Sequence, residues 1–154
     1  FQAFLIAVSG VLILLWFVLR NVREVVLVFA PLVLAALLTI AAATIAGQAF
    51  NLANVIVLPL LFGLGVAGGI HLVDRTRDAA DVAETLQTST PRAVFFSALT
   101  TIVSFGSISF SGHAGTSSMG VLLTLALFMS LLSTLVFLPA LLALMPGWAL
   151  RNKI

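Results

Sequence analysis

The chain has 154 residues, 62% of them hydrophobic and 8% charged, with a mean hydropathy of +1.26. A soluble domain of this length could not hide so much apolar surface, so a water-soluble fold is excluded. The net charge of +2 comes from seven basic residues split over three places, which form no phosphate-tracking patch; the absence of cysteine excludes disulfides and thiolate metal sites.

Five spanning helices are predicted, because a helix needs about 20 apolar residues to cross about 30 Å of hydrocarbon. The first covers about residues 1–19 and ends at Arg20 and Arg23. It has no basic n-region and no small-residue cleavage site, so it reads as a span and not a signal peptide. Because the chain opens inside this apolar segment, a piece of a larger protein is expected. The second span is about residues 25–46, with Pro31 in its first turns. The connection 46–51 carries no charge.

The third span, about residues 52–73, holds Leu58-Pro-Leu-Leu-Phe-Gly-Leu-Gly-Val-Ala-Gly-Gly-Ile-His-Leu-Val-Asp74. Pro59 lacks a backbone donor and is expected to kink the helix. Gly63, Gly65, Gly68 and Gly69 remove side chains, and Gly65 and Gly69 form a small-xxx-small pair. Such a stripe either lets a neighbour pack closely or lets the helix flex or slide. Ala67, His71 and Asp74 fall within about a 60° arc of this helix. Ionisable groups inside a membrane are costly and usually face a bundle interior or a wet cavity. His71 and Asp74 therefore read either as a proton-exchanging pair or as a structural hydrogen bond and an interfacial charge. In the second case Asp74 pairs with Arg75 or Arg77.

Residues 74–92 form the one substantial polar stretch. Asp78, Asp81 and Glu84 recur every three residues, and Arg77 and Asp81 are spaced to pair. A short helix along the membrane surface is predicted, ending near Thr90 and Pro91. The fourth span, about residues 94–110, carries Ser97, Thr100, Thr101, Ser104, Ser107 and Ser111 within about a 120° arc. Hydroxyls so spaced either bond back to carbonyls one turn earlier or line a polar seam. The uncharged connection 111–118 contains His113, a turn residue; a lone histidine makes no metal site. The fifth span is about residues 119–145, followed by Trp148, Arg151 and Lys153.

All seven basic residues thus lie at one end of the spans. Basic loops stay cytoplasmic, so the N-terminus is expected outside and the C-terminus inside, with Trp148 as an interfacial anchor. The fold class is an all-α polytopic helix bundle forming a single transmembrane domain over residues 1–154. Continuously apolar segments exclude a β-barrel. No HExxH, phosphate loop, serine elbow or paired-carboxylate motif is present, so no enzyme, cofactor or metal is predicted.

Three stretches resemble the membrane domain of the resistance-nodulation-division (RND) transporters, in their lipid-exporter, MMPL-like branch. Asn51-Leu-Ala-Asn with Phe62-Gly-Leu-Gly-Val-Ala-Gly-Gly-Ile-His-Leu-Val-Asp-Arg75 is similar to the fourth helix of a family repeat. Arg92-Ala-Val-Phe-Phe-Ser-Ala-Leu-Thr-Thr-Ile-Val-Ser-Phe-Gly106 is similar to the fifth. Met119-Gly with Leu138-Pro-Ala-Leu-Leu is similar to the sixth. The whole chain then resembles helices two to six of a repeat, and its wording is most similar to the C-terminal repeat of hopanoid-associated members.

The resemblance implies a proton-driven exporter of hydrophobic, hopanoid-like lipids in a bacterial inner membrane. It also implies a second repeat, a periplasmic domain and a homo-oligomer, dimer or trimer. Thr100 and Thr101 match the family's relay threonines. The family's proton-carrying Asp falls at Ala67, so the acid lies in the other repeat, or Asp74 or His71 replaces it. The same five-helix unit also resembles sterol-sensing domains, which implies the alternative of a lipid-binding module without proton coupling.

Overall fold

Helix boundaries in this chain are set by capping chemistry as much as by hydropathy. The computed structural model describes residues 2–48, 56–79 and 82–144. Helix α1 spans Gln2–Leu19, α2 Val22–Ile45, α3 Val57–Asp78, α4 Val82–Gln87 and α5 Ser89–Gly106. A 3₁₀ turn, Ser107–Phe110, follows α5. Helix α6 spans Ala114–Leu132 and passes through a π turn, Ser133–Phe137, into α7, Leu138–Ala143. Four helical stretches are long and apolar enough to cross a membrane, and α1 adds a shorter apolar helix, Phe4–Leu19. The protein is a polytopic helical membrane bundle.

The start of α2 meets the end of α3, where Arg77 reaches Glu24, so the charged residues of these two regions share one end. Arg20 closes α1 in the left-handed region (φ 51°), its N–H donating to the Trp16 carbonyl at 3.0 Å. Asn21 then caps α2, its Oδ1 accepting from the Arg23 N–H at 3.1 Å. At the uncharged end Gly47 (φ 65°) ends α2. Its N–H donates to the Thr44 carbonyl and that of Gln48 to Ala43, the paired bonds of a Schellman stop.

Several boundaries differ from expectation. Asn21 starts α2 three residues early, so Pro31 is an interior, buried residue and not a first-turn one. Pro59 is the third residue of α3, where a backbone N–H has no intrahelical acceptor, so it opens the helix and kinks nothing. Helix α3 runs on through Asp78, placing Asp74, Arg75 and Arg77 on the membrane helix itself. The surface helix is only Val82–Gln87, and Thr90 and Pro91 open α5. Thr88 caps that start, its hydroxyl accepting from the Thr90 N–H at 3.4 Å, while Pro91 needs no donor in a first turn. The last span begins at Ala114, five residues early. Asp81, and with it the Arg77–Asp81 pair, lies outside the described residues. So do Asn51, the expected end at Met145, Trp148, Arg151 and Lys153.

Two buried clusters organise the bundle. At the charged end Leu15, Leu19, Leu27, Val28, Leu72 and Val73 pack with Leu138 and Leu142. Towards the other end Ala35, Ala43, Val57 and Leu61 pack against Leu122, Leu123, Ala126 and Leu127 of α6. Lipid tails are as apolar as leucine, so close backbone approach, not dewetting, must hold such helices together. A methyl group built on Gly65 would sit 2.7 Å from Leu32 Cδ2; on Gly68, 3.1 Å from Val94 Cγ1; on Gly69, 3.0 Å from Val28 Cγ1. Gly63 faces open space. The tightest approach is at Gly120, where a methyl group would run into the Ile108 and Ser109 backbone of the 3₁₀ turn.

Backbone cannot yield as a side chain can. Gly120→Ala is therefore expected to destabilise by about 1–3 kcal/mol. Gly63→Ala is expected to be neutral or slightly stabilising, because glycine inside a helix costs about 0.5–1 kcal/mol relative to alanine. Thermal unfolding of the two variants in detergent measures the contrast; equal melting would refute the close approach.

Candidate functional site: a polar groove and a buried ion pair

Two polar features lie in the charged half of the bundle. The first is an ion pair. Glu24, in the first turn of α2, is fully buried. Its Oε2 accepts a hydrogen bond from Arg77 Nη2, in the last turn of α3. Asn21 Nδ2 donates to Glu24 Oε1 at 3.5 Å. Arg77 Nη1 lies 3.7 Å from Asp74 Oδ1, and the side chains of Arg77 and Asp74 are 32% and 67% exposed. Each partner is at the helix end its charge favours: the carboxylate at an N-terminus, the guanidinium at a C-terminus.

The second feature is a groove of about 400 Å³ between α3, α5 and α6. Its α3 wall includes Leu64, Gly65, Ala67, Gly68 and His71. Opposite, α5 contributes Ser89, Thr90, Val94, Ser97 and Thr101, and α6 closes the back with Ser130 and Leu131, with Thr134 of the π turn below. His71 is the one ionisable side chain lining it among the described residues. The groove exists because Gly65 and Gly68 take no space, while Val94 and Thr134 hold the neighbours apart.

The structure separates the expected relay residues. His71, Thr101 and Ala67 share the groove. Asp74 lies outside it, beside Arg77. Thr100 is exposed on the outer face of α5 and donates to the Phe96 carbonyl at 2.9 Å. The hydroxyl seam is largely back-bonded: Thr101 donates to Ser97 O, Ser104 to Thr100 O and Ser107 to Ser104 O, at 2.7–2.9 Å. Ser111 drops out of the arc because the α-helix has ended by Ser107. His113 is an exposed N-cap of α6.

Three contributors were not singled out from the sequence. Ser130 and Thr134 are buried (5% and 3% exposed), yet line the groove. Unlike Thr100, Thr101, Ser104 and Thr124, neither donates to a carbonyl among the described residues; Ser97 is the same. The signal was Ser130-Leu-Leu-Ser-Thr134, hydroxyls one turn apart in an apolar run. Glu24 was legible only as a lone acid beside a basic edge.

Breaking a buried pair strands one charge, at a cost of about 3–5 kcal/mol. Arg77 keeps about a third of its side chain in solvent, so Glu24→Gln and Arg77→Met are each expected near the lower end of that range. The double variant should lose less than the sum, leaving a coupling of about 1–3 kcal/mol. Chemical unfolding of the four proteins closes the cycle; zero coupling would dispose of the pair.

Residues 2–153 match the MMPL family. The chain is 44% identical over 140 residues to the hopanoid transporter HpnN of Rhodopseudomonas palustris (strain TIE-1), covering 91% of this chain and 16% of that protein. It is 41% identical over 140 residues to the hopanoid transporter HpnN of Burkholderia multivorans (strain ATCC 17616 / 249), with the same coverage. The chain thus spans about a sixth of the length of these curated relatives.

Proposed function

Because the chain belongs to the MMPL family, we propose that it is part of the membrane domain of an RND-type exporter driven by the proton-motive force. Its cargo is a hydrophobic, hopanoid-like lipid, moved from a bacterial inner membrane toward the periplasm and outer membrane. The relatives' names support the cargo. The collection of Arg20, Arg23, Arg75, Arg77 and Arg92 at one end supports a cytoplasmic placement for that end. Residues 1–154 act as one transmembrane unit, with 74–92 at the cytoplasmic surface. The rest of the parent protein supplies the second repeat and the periplasmic domain, and its copies associate as dimers or trimers.

The observation that carries the coupling is that His71 lines the groove together with Thr101 and Ala67. Imidazole side chains are suited to proton exchange between about pH 5 and 8. In this reading His71 handles the local proton traffic, with Thr101 beside it, and α3 flexes at its glycines. Asp74 and Thr100 stand off the groove and contribute less. The second reading is a sterol-sensing-like module that binds lipid without coupling. Ala67 favours it, because the groove then holds no carboxylate among its lining residues.

In the intact parent transporter, His71→Gln is expected to trap lipid in the inner membrane as a deletion strain does. Asp74→Asn is expected to leave the lipid distribution close to that of the unaltered strain. Lipid composition of separated inner and outer membranes, at matched expression, distinguishes the readings. If neither substitution alters it, protons do not pass through this groove and the lipid-binding module stands. If only Asp74→Asn traps lipid, the assignment to His71 is wrong.

A further inference from the structure

The groove holds more polarity than a proton step uses. Ser97, Ser130 and Thr134 line it with hydroxyls that donate to no carbonyl among the described residues, although serine and threonine in apolar helices ordinarily bond back one turn. Ser130 and Thr134 are more than nine-tenths buried. Their hydroxyl oxygens are not sealed off but open to the groove, so each offers a donor to a ligand or water that enters it. Their distribution is graded. Thr134 lies beside Gly68, one turn from His71, and Ser130 one turn deeper beside Gly65. Leu64, Leu127 and Leu131 provide apolar walls.

The mouth adds positive charge. Arg75 follows His71 by four residues, which puts it on the groove face of α3. It is exposed and ion-paired with none of the described residues. Facing it, α5 begins with Ser89 and Thr90, both lining the groove. An α-helix start carries partial positive charge; here the Thr90 N–H is taken by the Thr88 hydroxyl and Pro91 has none, so that charge is the contribution of α5. Two acids lie nearby, and neither forms an ion pair with Arg75. Asp74 is engaged beside Arg77, and Asp78 lies exposed three residues beyond Arg75.

We propose that the groove binds one anionic glycerophospholipid, with the phosphate between Arg75, His71 and the start of α5. Its ester carbonyls, which only accept, take the hydroxyls of Thr134, Ser97 and Ser130. One acyl chain lies along Leu64, Leu127 and Leu131. The volume of about 400 Å³ is within the usual range for a ligand cavity, about 300–1,000 Å³. The orientation proposed above sets only which leaflet supplies the lipid, here the cytoplasmic one. His71 is shared with the proton step proposed above, whereas the cargo is a separate matter.

The test is native mass spectrometry of the full parent transporter, purified in detergent and supplied with phosphatidylglycerol or phosphatidylcholine. Phosphatidylglycerol is expected to be retained preferentially, one molecule per copy at this site. Arg75→Gln should weaken that retention about fivefold, the value of about 1 kcal/mol for one cation near a lipid phosphate; Arg75→Lys should preserve most of it. Thr134→Val, nearly isosteric, should weaken both lipids alike. Equal retention of the two lipids, or none, would overturn the proposal, the latter meaning that another segment of the parent protein fills the groove. Full displacement by inorganic phosphate would overturn it too, because a phosphate site alone would remain. Detergent solution has no leaflets, so failure here leaves the topology and transport readings untouched.

Discussion

The bundle depends on a charge pair where membrane proteins rarely keep one. Glu24 is fully buried at the start of α2 and is tied to Arg77 at the end of α3. Along the rest of their length these two helices meet through Gly65 against Leu32 and Gly69 against Val28. Such contacts fix distance but are weakly specific along the axis, because leucine and valine meet many surfaces equally well. An ion pair between an N-terminal carboxylate and a C-terminal guanidinium has one register only. It sets the height of α3 relative to α2, and with it the depth at which Ala67 and His71 face α5 and α6.

Helix α5 has a different status. It is the least buried of the long helices, and much of its surface is apolar and outward-facing: Phe95, Phe96, Leu99 and Val103, continued by Phe110 of the 3₁₀ turn. It is secured mainly at its far end. There Gly106 meets Thr124, Gly120 meets the 3₁₀ turn, and the Ser117 hydroxyl donates to the Ser109 carbonyl at 2.6 Å. Near the charged end Val94 is the residue that touches Gly68. The groove is the space left between a helix pair locked in register and a helix held chiefly from the opposite side.

Hydropathy and charge alternation were enough to read the architecture, because both are written continuously along the chain. Five apolar segments, two uncharged connections and a basic edge leave few alternatives. What local patterns missed depends on facing. The start of α2 was misjudged because Asn21 caps it from within a polar patch. Asp74 and His71 share an arc, yet the groove takes only His71, since it opens on the side of the arc away from Asp74. Periodicity gives an angle between two residues and not the direction of the neighbour. Likewise, the hydroxyl arc of α5 was real to Ser107, but which hydroxyls bond back and which stay available is decided by α3 and α6. Glu24 and Arg77 are 53 residues apart, and no local pattern joins them.

The π turn at Ser133–Phe137 precedes Pro139, which has no N–H to give and whose ring would crowd a carbonyl one turn back. The extra residue in that turn also resets the facing of everything beyond it by about 100°. Before it, Ser130 looks into the groove; after it, Leu138 and Leu142 turn into the cluster with Leu15 and Leu19 of α1. One continuous rod therefore serves two neighbours that an unbroken α-helix could not face in succession. Length in this segment is thus a code for direction: losing a single residue there would leave the span long enough for the bilayer while swinging its last turns out of the bundle and toward lipid.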